Sequence, residues 1–226
     1  MRRLVLAAVL LLSSLALADV DPRFARLRDQ AEPLGSLTSF LDRYVGECAS
    51  LFAGPGCRKD AEAFRSKYEG KKLYMIVGEE AASMVGPGPY QPGSGNYVIH
   101  VTPLFPGGAY MLTQGAPRHT DADGQPMLPF VQVTGTTPPG WNAGDFMRLF
   151  QKKQVRAQVV FSPQEVWSLQ GRGGGTKRYG VAARMEAVLL THARTGESLG
   201  VWFAEAAPKA SPPPAPAPTP PPAKKK

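Results

Sequence analysis

The chain has 226 residues, 43% apolar and 19% charged, with 24 Gly, 23 Pro, two Cys and a formal charge of +8. That is too apolar for a disordered protein and too poor in Cys for a miniprotein built on disulfides. The length suits one ordinary domain or two small ones, and such a chain buries roughly 70% of its unfolded surface, enough to fold without a metal.

Residues 1–18 begin Met-Arg-Arg, run almost wholly in Leu, Val and Ala over 4–12, and end in Ser13-Ser14 and Ala16-Leu17-Ala18. A basic start, a short apolar run and small residues predict a secretory signal cleaved before Asp19. The alternative is an N-terminal anchor, but the unbroken apolar stretch falls short of the ~20 residues a spanning helix needs. No Cys follows the run to take a lipid, and no later segment reads as a transmembrane span. Export to the periplasm or the extracellular space is the expectation.

Helical spacing comes next. Over 21–31, Phe24, Leu27 and Ala31 recur every three or four positions until Pro33 and Gly35 interrupt. Ser36 then suits the cap of a second helix, in which Leu37, Phe40, Leu41, Tyr44, Val45 and Cys48 share a face. After Gly54-Pro55-Gly56, a third helix over 60–69 puts Ala61, Phe64 and Tyr68 on one side, with Gly70 as its stop. Cys48 and Cys57, the two cysteines of the chain, flank that turn. In an exported protein an even count at such close range reads as a disulfide, contributing about 2.5–3 kcal/mol through loop closure. A reactive thiol or metal pair is the alternative; the spacing is not Cys-x-x-Cys, and His100, His119 and His192 are remote in sequence.

Beyond Gly70 the period becomes two. Strands are expected at 73–77, 97–101, 109–112 and 130–133, separated by Gly, Pro, Asp and Asn clusters. A helix interrupts them, capped by Asn142, with Asp145 in its first turn, Phe146, Leu149 and Phe150 as its stripe, and Lys152 and Lys153 at its end. Over 155–161, Val155, Ala157, Val159 and Phe161 face one way. Over 181–191, Val181, Ala183, Met185, Ala187 and Leu189 line one face, while the opposite face turns apolar at Val188 and Leu190, which predicts a long, bent strand. A hairpin turn at 193–197 returns the chain with Leu199, Val201 and Phe203 on the core side. Six or seven antiparallel strands with flanking helices make an α+β domain over 19–205, helical over 19–69 and β-rich over 70–205. Its short N-terminal helices are expected to pack on an antiparallel, curled sheet or small open barrel. No internal repeat is visible.

Residues 206–226 hold nine Pro, six Ala, four Lys, one Ser and one Thr. That set builds no core and favours an extended rod ending in Lys224-Lys225-Lys226. With Arg2 and Arg3 in the leader and four Lys in the tail, residues 19–205 keep 20 basic against 18 acidic side chains, a net of only +2. A broad nucleic-acid surface is therefore disfavoured. The tail reads either as a hydrated spacer or as an arm carrying a cationic tip to anionic polymer or lipid head groups, with weak and salt-sensitive attachment.

Candidate chemistry is sparse. Asp121-Ala122-Asp123-Gly124 has its Gly two places early for a calcium loop and no Glu at the twelfth position, so it reads as a turn. Gly171-Arg172-Gly173-Gly174-Gly175-Thr176-Lys177-Arg178 lacks the P-loop spacing and precedes a strand. It reads as a hairpin loop, or as an anion-contact loop through Arg172, Lys177 and Arg178. Residues 86–95, rich in Gly and Pro, read as a flexible surface loop in which Ser94 does not fit a nucleophile elbow. Glu79 and Glu80 point apart if extended, and the three His form no zinc spacing. His100 reads as an inner or rim residue of its strand. Trp141, Trp167 and Trp202 suit partial burial better than a sugar platform. No cofactor or metal motif is present in the sequence.

The run Leu41-Asp42-Arg43-Tyr44-Val45-Gly46-Glu47-Cys48, then Cys57-Arg58-Lys59-Asp60-Ala61-Glu62-Ala63-Phe64-Arg65, then Gly70-Lys71-Lys72-Leu73-Tyr74-Met75, with Thr195-Gly196-Glu197 near the end, resembles a family of exported, uncharacterised bacterial proteins. The likeness covers most of residues 20–205. It implies export and a single domain, and carries no catalytic residues because the family has no assigned activity. Three functional classes follow. The first is a non-catalytic envelope or extracellular accessory protein, contacting an anionic envelope polymer or another envelope protein. The second is a hydrolase-like enzyme assembled from distant residues such as Glu79, His100 or Glu186. The third is a weak anion-binding module using the 171–178 loop or Lys224, Lys225 and Lys226.

Overall fold

A computed structural model of the chain describes residues 20–46, 57–77, 84–119, 121, 127–138, 140–170 and 177–205, with the side chains of all but Cys57 and Arg58. Asp21 starts the first helix, α1 (Pro22–Asp29), by accepting the amides of Arg23 at 2.7 Å and Phe24 at 3.2 Å. Pro22 sits where a missing N–H leaves no bond unmade. Ser36 caps α2 (Leu37–Val45), whose Phe40, Leu41, Tyr44 and Val45 are buried, as their spacing predicts. Gly46 closes it in the left-handed region, and a Cβ there would run into Ala61 of α3 (Cys57–Tyr68). The glycine thus ends one helix and lets the next lie against it. Phe40 is the hub of this corner, its ring 5.2 Å from Tyr44, 5.4 Å from Tyr68, 6.0 Å from Phe64 and 6.4 Å from Phe161.

Ten strands and a fourth helix complete the described structure. In chain order they are β1 (Glu32–Pro33), β2 (Leu73–Val77), β3 (Val85–Gln91), β4 (Asn96–Val101), β5 (Leu104–Gly107), β6 (Tyr110–Gln114), β7 (Val131–Thr136), α4 (Ala143–Gln151), β8 (Val155–Leu169), β9 (Arg178–His192) and β10 (Ser198–Phe203). Seven strands form a large sheet in the order β1-β2-β8-β9-β6-β5, with β10 also on β9; β3, β4 and β7 form a small sheet. The class is α+β, as expected, with mostly antiparallel, curled sheets that do not close into a barrel. Two pairings, β1 with β2 and β6 with β9, are parallel. The β6–β9 pairing needs a crossover, and residues 115–177 supply it with β7, α4 and β8. No described helix is long and apolar enough to cross a membrane.

Strand β9 is long, and its partners change midway. Its first half pairs with β6, its second half with β10, and β8 runs along its other edge throughout. At Glu186 the β8–β9 register slips, because Val160 faces Ala187 while the adjacent Phe161 faces Met185. One extra residue reverses the alternation. Val181, Ala183 and Met185 therefore share the main core with Val188 and Leu190, whereas Ala187 and Leu189 turn to the opposite face with Val160 and Phe24 of α1. The expected single face of Val181, Ala183, Met185, Ala187 and Leu189 is divided at this bulge.

A second correction has the same cause. Leu199 enters the main core, but Val201 and Phe203 pack on the α1 side. The β9–β10 register shifts between Ser198 and Gly200, and Gly200 has φ +137°. The third correction concerns residues 86–95. They are not a loop: Val85–Gln91 is the edge strand β3, joined to β4 by a turn over 92–95. Pro87 and Pro89 argue against a central strand, since neither donates a ladder bond, but they are tolerated on an edge. Strand β2 keeps the expected period of two. Its burial alternates, and Ile76 is 57% exposed.

The main core lies between the large sheet on one side and α2, α3, the small sheet and α4 on the other. Helix α4 carries the full capping box, with the Asn142 side chain taking the amides of Gly144 and Asp145 and the Asp145 carboxylate taking the Asn142 amide at 3.0 Å. Phe146 stacks on Tyr97 at 4.8 Å and on Tyr90 at 5.6 Å, which fixes the helix under the small sheet. At its other end, the Gln154 amide bonds the Leu149 carbonyl at 2.7 Å and the Lys153 amide bonds the Phe150 carbonyl at 3.0 Å. This double closure needs a left-handed residue, and Lys153, at φ +51°, fills the place usually held by glycine. Among the described residues it is the one non-glycine with positive φ, a conformation costing about 1–2 kcal/mol.

Candidate functional site

The outward face of the small sheet carries a concavity of about 440 Å³, lined by Pro89, Gln91, Asn96, Tyr97, Val98, Thr134, Gly135 and Thr136. Its position follows from strand alternation. In β4, Tyr97, Ile99 and Val101 are buried inward, so Asn96, Val98 and His100 face out. In β7, Val131 and Val133 point inward and Gln132, Thr134 and Thr136 outward. The register places Asn96 opposite Thr136, Val98 opposite Thr134 and His100 opposite Gln132. Across β3, an extra residue between Pro87 and Tyr90 distorts the edge, and Gly88 leaves room where a Cβ would press on the Val98 carbonyl and the His100 ring. The result is a trough with a low floor of Val98 and Thr134.

None of the side chains lining the trough is charged. Its polar groups are amides and hydroxyls, with the Thr136 hydroxyl donating to Asn96 Oδ1 at 2.9 Å and the Ser94 hydroxyl donating to Gln91 Oε1 at 3.1 Å. Farther along the same outer face, His100, two residues beyond Val98, has its ring 5.6 Å from that of Phe130, which is 67% exposed. An exposed aromatic ring on one face with uncharged donors and acceptors suits a neutral polar ligand that offers both an apolar face and hydroxyls. The floor is held from within. Tyr97 donates its hydroxyl to the Leu199 carbonyl at 2.6 Å, tying the small sheet to β10. Burial first, and the nearby Glu197 charge second, push this phenol up to about 12, so it remains a neutral donor.

Two smaller clefts are polar. One of about 360 Å³ lies between α3 and β8, where Tyr44 donates to the Gln164 carbonyl at 2.6 Å and Arg65 donates to the Tyr44 carbonyl at 3.0 Å. Burial raises the Tyr44 phenol, which Arg65 opposes and Glu69 reinforces. These bonds join α2 to β8 and α3 to α2. The other cleft, about 220 Å³, lies beside α4 and the end of β9.

The residues nominated from the sequence are scattered. Lys177 stands 5.1 Å from the Tyr179 ring and Arg178 begins β9 opposite Leu169, whereas Arg172, Lys224, Lys225 and Lys226 lie outside the described residues. Cys48 also lies outside them, and only the backbone of Cys57 is described, so the disulfide falls there too. His100 is on the outer face of the small sheet, while Glu186 is on the large sheet 3.4 Å from Arg184. The structure does not bring these two together, and Glu79 is outside the described residues. Trp167 is core, donating to the buried Thr113 hydroxyl at 2.9 Å. Among the described residues no three His, Cys, Asp or Glu side chains gather as a metal site would require. Sequence reasoning passed over Asn96, Thr134 and Thr136, because neutral residues alternating on a strand look like any wet face. The Gly86-Pro87-Gly88-Pro89 run was the available signal, since small and rigid residues there leave the sheet face uncovered.

No curated protein and no solved structure matches this chain. Residues 1–212 match the sequence model described as "Family of unknown function (DUF6066)".

Proposed function

We propose, from the premise that the chain belongs to DUF6066, a family of unknown function, that it is an exported, non-catalytic binding protein of the cell envelope or extracellular space. The observation that carries this reading is the uncharged trough on the small sheet, with the exposed Phe130 ring packed on His100 farther along the same outer face. Its chemistry fits a neutral glycan chain, whose hydroxyls meet Gln91, Asn96, Thr134 and Thr136 and whose ring faces meet Phe130. The separation of His100 from Glu186 on different sheets supports a binding role over an acid–base one. The lysine-tipped tail adds weak, salt-sensitive attachment to anionic polymer.

The test is co-sedimentation of the full chain with insoluble glycans: cellulose, chitin and peptidoglycan sacculi. Binding to at least one is expected to persist in 0.5 M salt and after deletion of residues 206–226, while Phe130→Ala weakens it about tenfold, or about 1.4 kcal/mol. Binding that vanishes with the tail or with salt would transfer the role to Lys224, Lys225 and Lys226 and remove it from the trough.

Export carries its own expectation. N-terminal sequencing of exported protein should start at Asp19, and thiol reagents should label Cys48 and Cys57 only after reduction. Cys48→Ser should then cost about 2.5–3 kcal/mol in urea unfolding. A retained leader, or labelling without reductant, would remove the disulfide and the oxidising compartment together.

A further inference from the structure

We propose that the cleft between the C-terminal turn of α4 and the end of β9 is an oxyanion site, taking a phosphate or carboxylate group. This site is separate from the glycan trough. Its lining includes Trp141, Asp145, Arg148, Lys152, Gln154 and His192. The single carboxylate among them is already committed. One oxygen of Asp145 meets Arg148 at 2.6 Å and the other accepts the Asn142 amide at 3.0 Å.

What remains is a surplus of donors. His192 Nδ1 accepts from the amides of Arg194 at 3.3 Å and Thr195 at 3.2 Å, which places the ring proton on Nε2 and makes that atom a donor. Among the described residues, no acceptor pairs with His192 Nε2, the Trp141 indole N–H or the Lys152 ammonium. The Gln154 amide adds two more N–H groups. Charge points the same way: Arg148 and Lys152 line the cleft, and Lys153 and Arg194 flank it in sequence, against Asp145 and Glu197. A helix C-terminus ordinarily repels anions, but here the Arg148, Leu149 and Phe150 carbonyls are taken by the amides of Lys152, Gln154 and Lys153. A group with several acceptor oxygens and negative charge satisfies this set, and a neutral ligand leaves the ammonium unanswered.

The walls are also preorganised. The Ala193 amide bonds the Gln154 carbonyl at 2.9 Å and so fastens the β9 end to the α4 turn. Lys153 holds its left-handed conformation between the two lining residues Lys152 and Gln154. Strained non-glycine residues concentrate where geometry serves binding.

The test follows the His192 imidazole and Trp141 indole signals by NMR in the full chain. Inorganic phosphate is added in one titration and glucuronate, a carboxylate on a sugar ring, in another. Saturable shifts are expected in at least one titration, and which one responds identifies the group. Lys152→Ala should weaken that response at least tenfold, whereas Lys67→Ala on α3 and Phe130→Ala on the face that carries the trough should leave it unchanged. His192→Asn, which keeps an acceptor for the two turn amides but loses the Nε2 donor, should also weaken it. No saturable shift in either titration, or an undiminished response in the Lys152→Ala protein, overturns the assignment. The Phe130→Ala control separates its failure from that of the trough.

Discussion

Gly200→Ala is expected to destabilise the protein by about 3 kcal/mol or more, moving the urea midpoint by roughly 1–2 M without changing the slope. Strand β10 crosses β7 with the two backbones nearly touching, and a Cβ on Gly200 would strike the Thr134 carbonyl, with Val133 at 2.8 Å. The Thr134 carbonyl is backbone and has no rotamer by which to move aside. The alanine would also sit at φ +137°, a region that L side chains rarely adopt. The neighbouring Gly135, where a Cβ would lie 2.5 Å from the Leu199 carbonyl, makes the same crossing from the other side. These two glycines and the Tyr97–Leu199 hydrogen bond join the small sheet to the large one. A loss below 1 kcal/mol would mean that the strands separate freely and that the trough floor is not held from beneath.

Phe24→Ala should cost about 3–5 kcal/mol, the range for deleting a fully buried ring. Phe24 has no exposed surface, and it anchors α1 on the face of the large sheet opposite the main core, against Val160, Ala187 and Leu189. Around it, Leu27, Ala31, Tyr74, Val201 and Phe203 are only partly covered, so none of them replaces the lost contact. Arg23, 4.2 Å over the Phe203 ring, sits at the rim, and Arg23→Ala should cost no more than about 1 kcal/mol. Comparable losses for the two variants in urea unfolding would show that α1 is held by its edge rather than by Phe24.

The proposed roles place function on parts of the structure that stability does not require. The trough is the uncovered side of a sheet whose inner side is core, and the α4 cleft is built from a helix end and a strand end. Variants in either should change binding with little effect on folding, and Phe24→Ala, remote from both, should do the reverse.

Much of this protein was legible along the chain. The caps at Ser36 and Asn142 are local, because a side chain reaching an amide two or three residues away needs no partner elsewhere. The faces of α2 and α4 followed from spacing for the same reason. The change of β9 from one buried face to two was visible at Val188 and Leu190, as was the α+β class. Register was not legible. The extra residue at Glu186 and the shift at Gly200 decide which side Ala187, Leu189, Val201 and Phe203 occupy, and a bulge depends on the partner strand as much as on its own sequence. The Gly86-Pro87-Gly88-Pro89 run has the composition of a loop, and only its place at the edge of a sheet makes it a strand.

Charge shows the division most clearly. The sequence by itself determined that the net +8 resides mainly in residues 1–18 and 206–226, leaving residues 19–205 nearly balanced. Only the tertiary structure decided where, within that balance, positive charge is concentrated. Arg148 and Lys152 on α4 and the neutral donor His192 on β9 are separated by up to 44 positions, and they line one cleft because an α4 turn and a β9 end are bonded through Gln154 and Ala193. Composition sums charges over the chain, whereas a ligand meets only those that folding brings within a few ångströms.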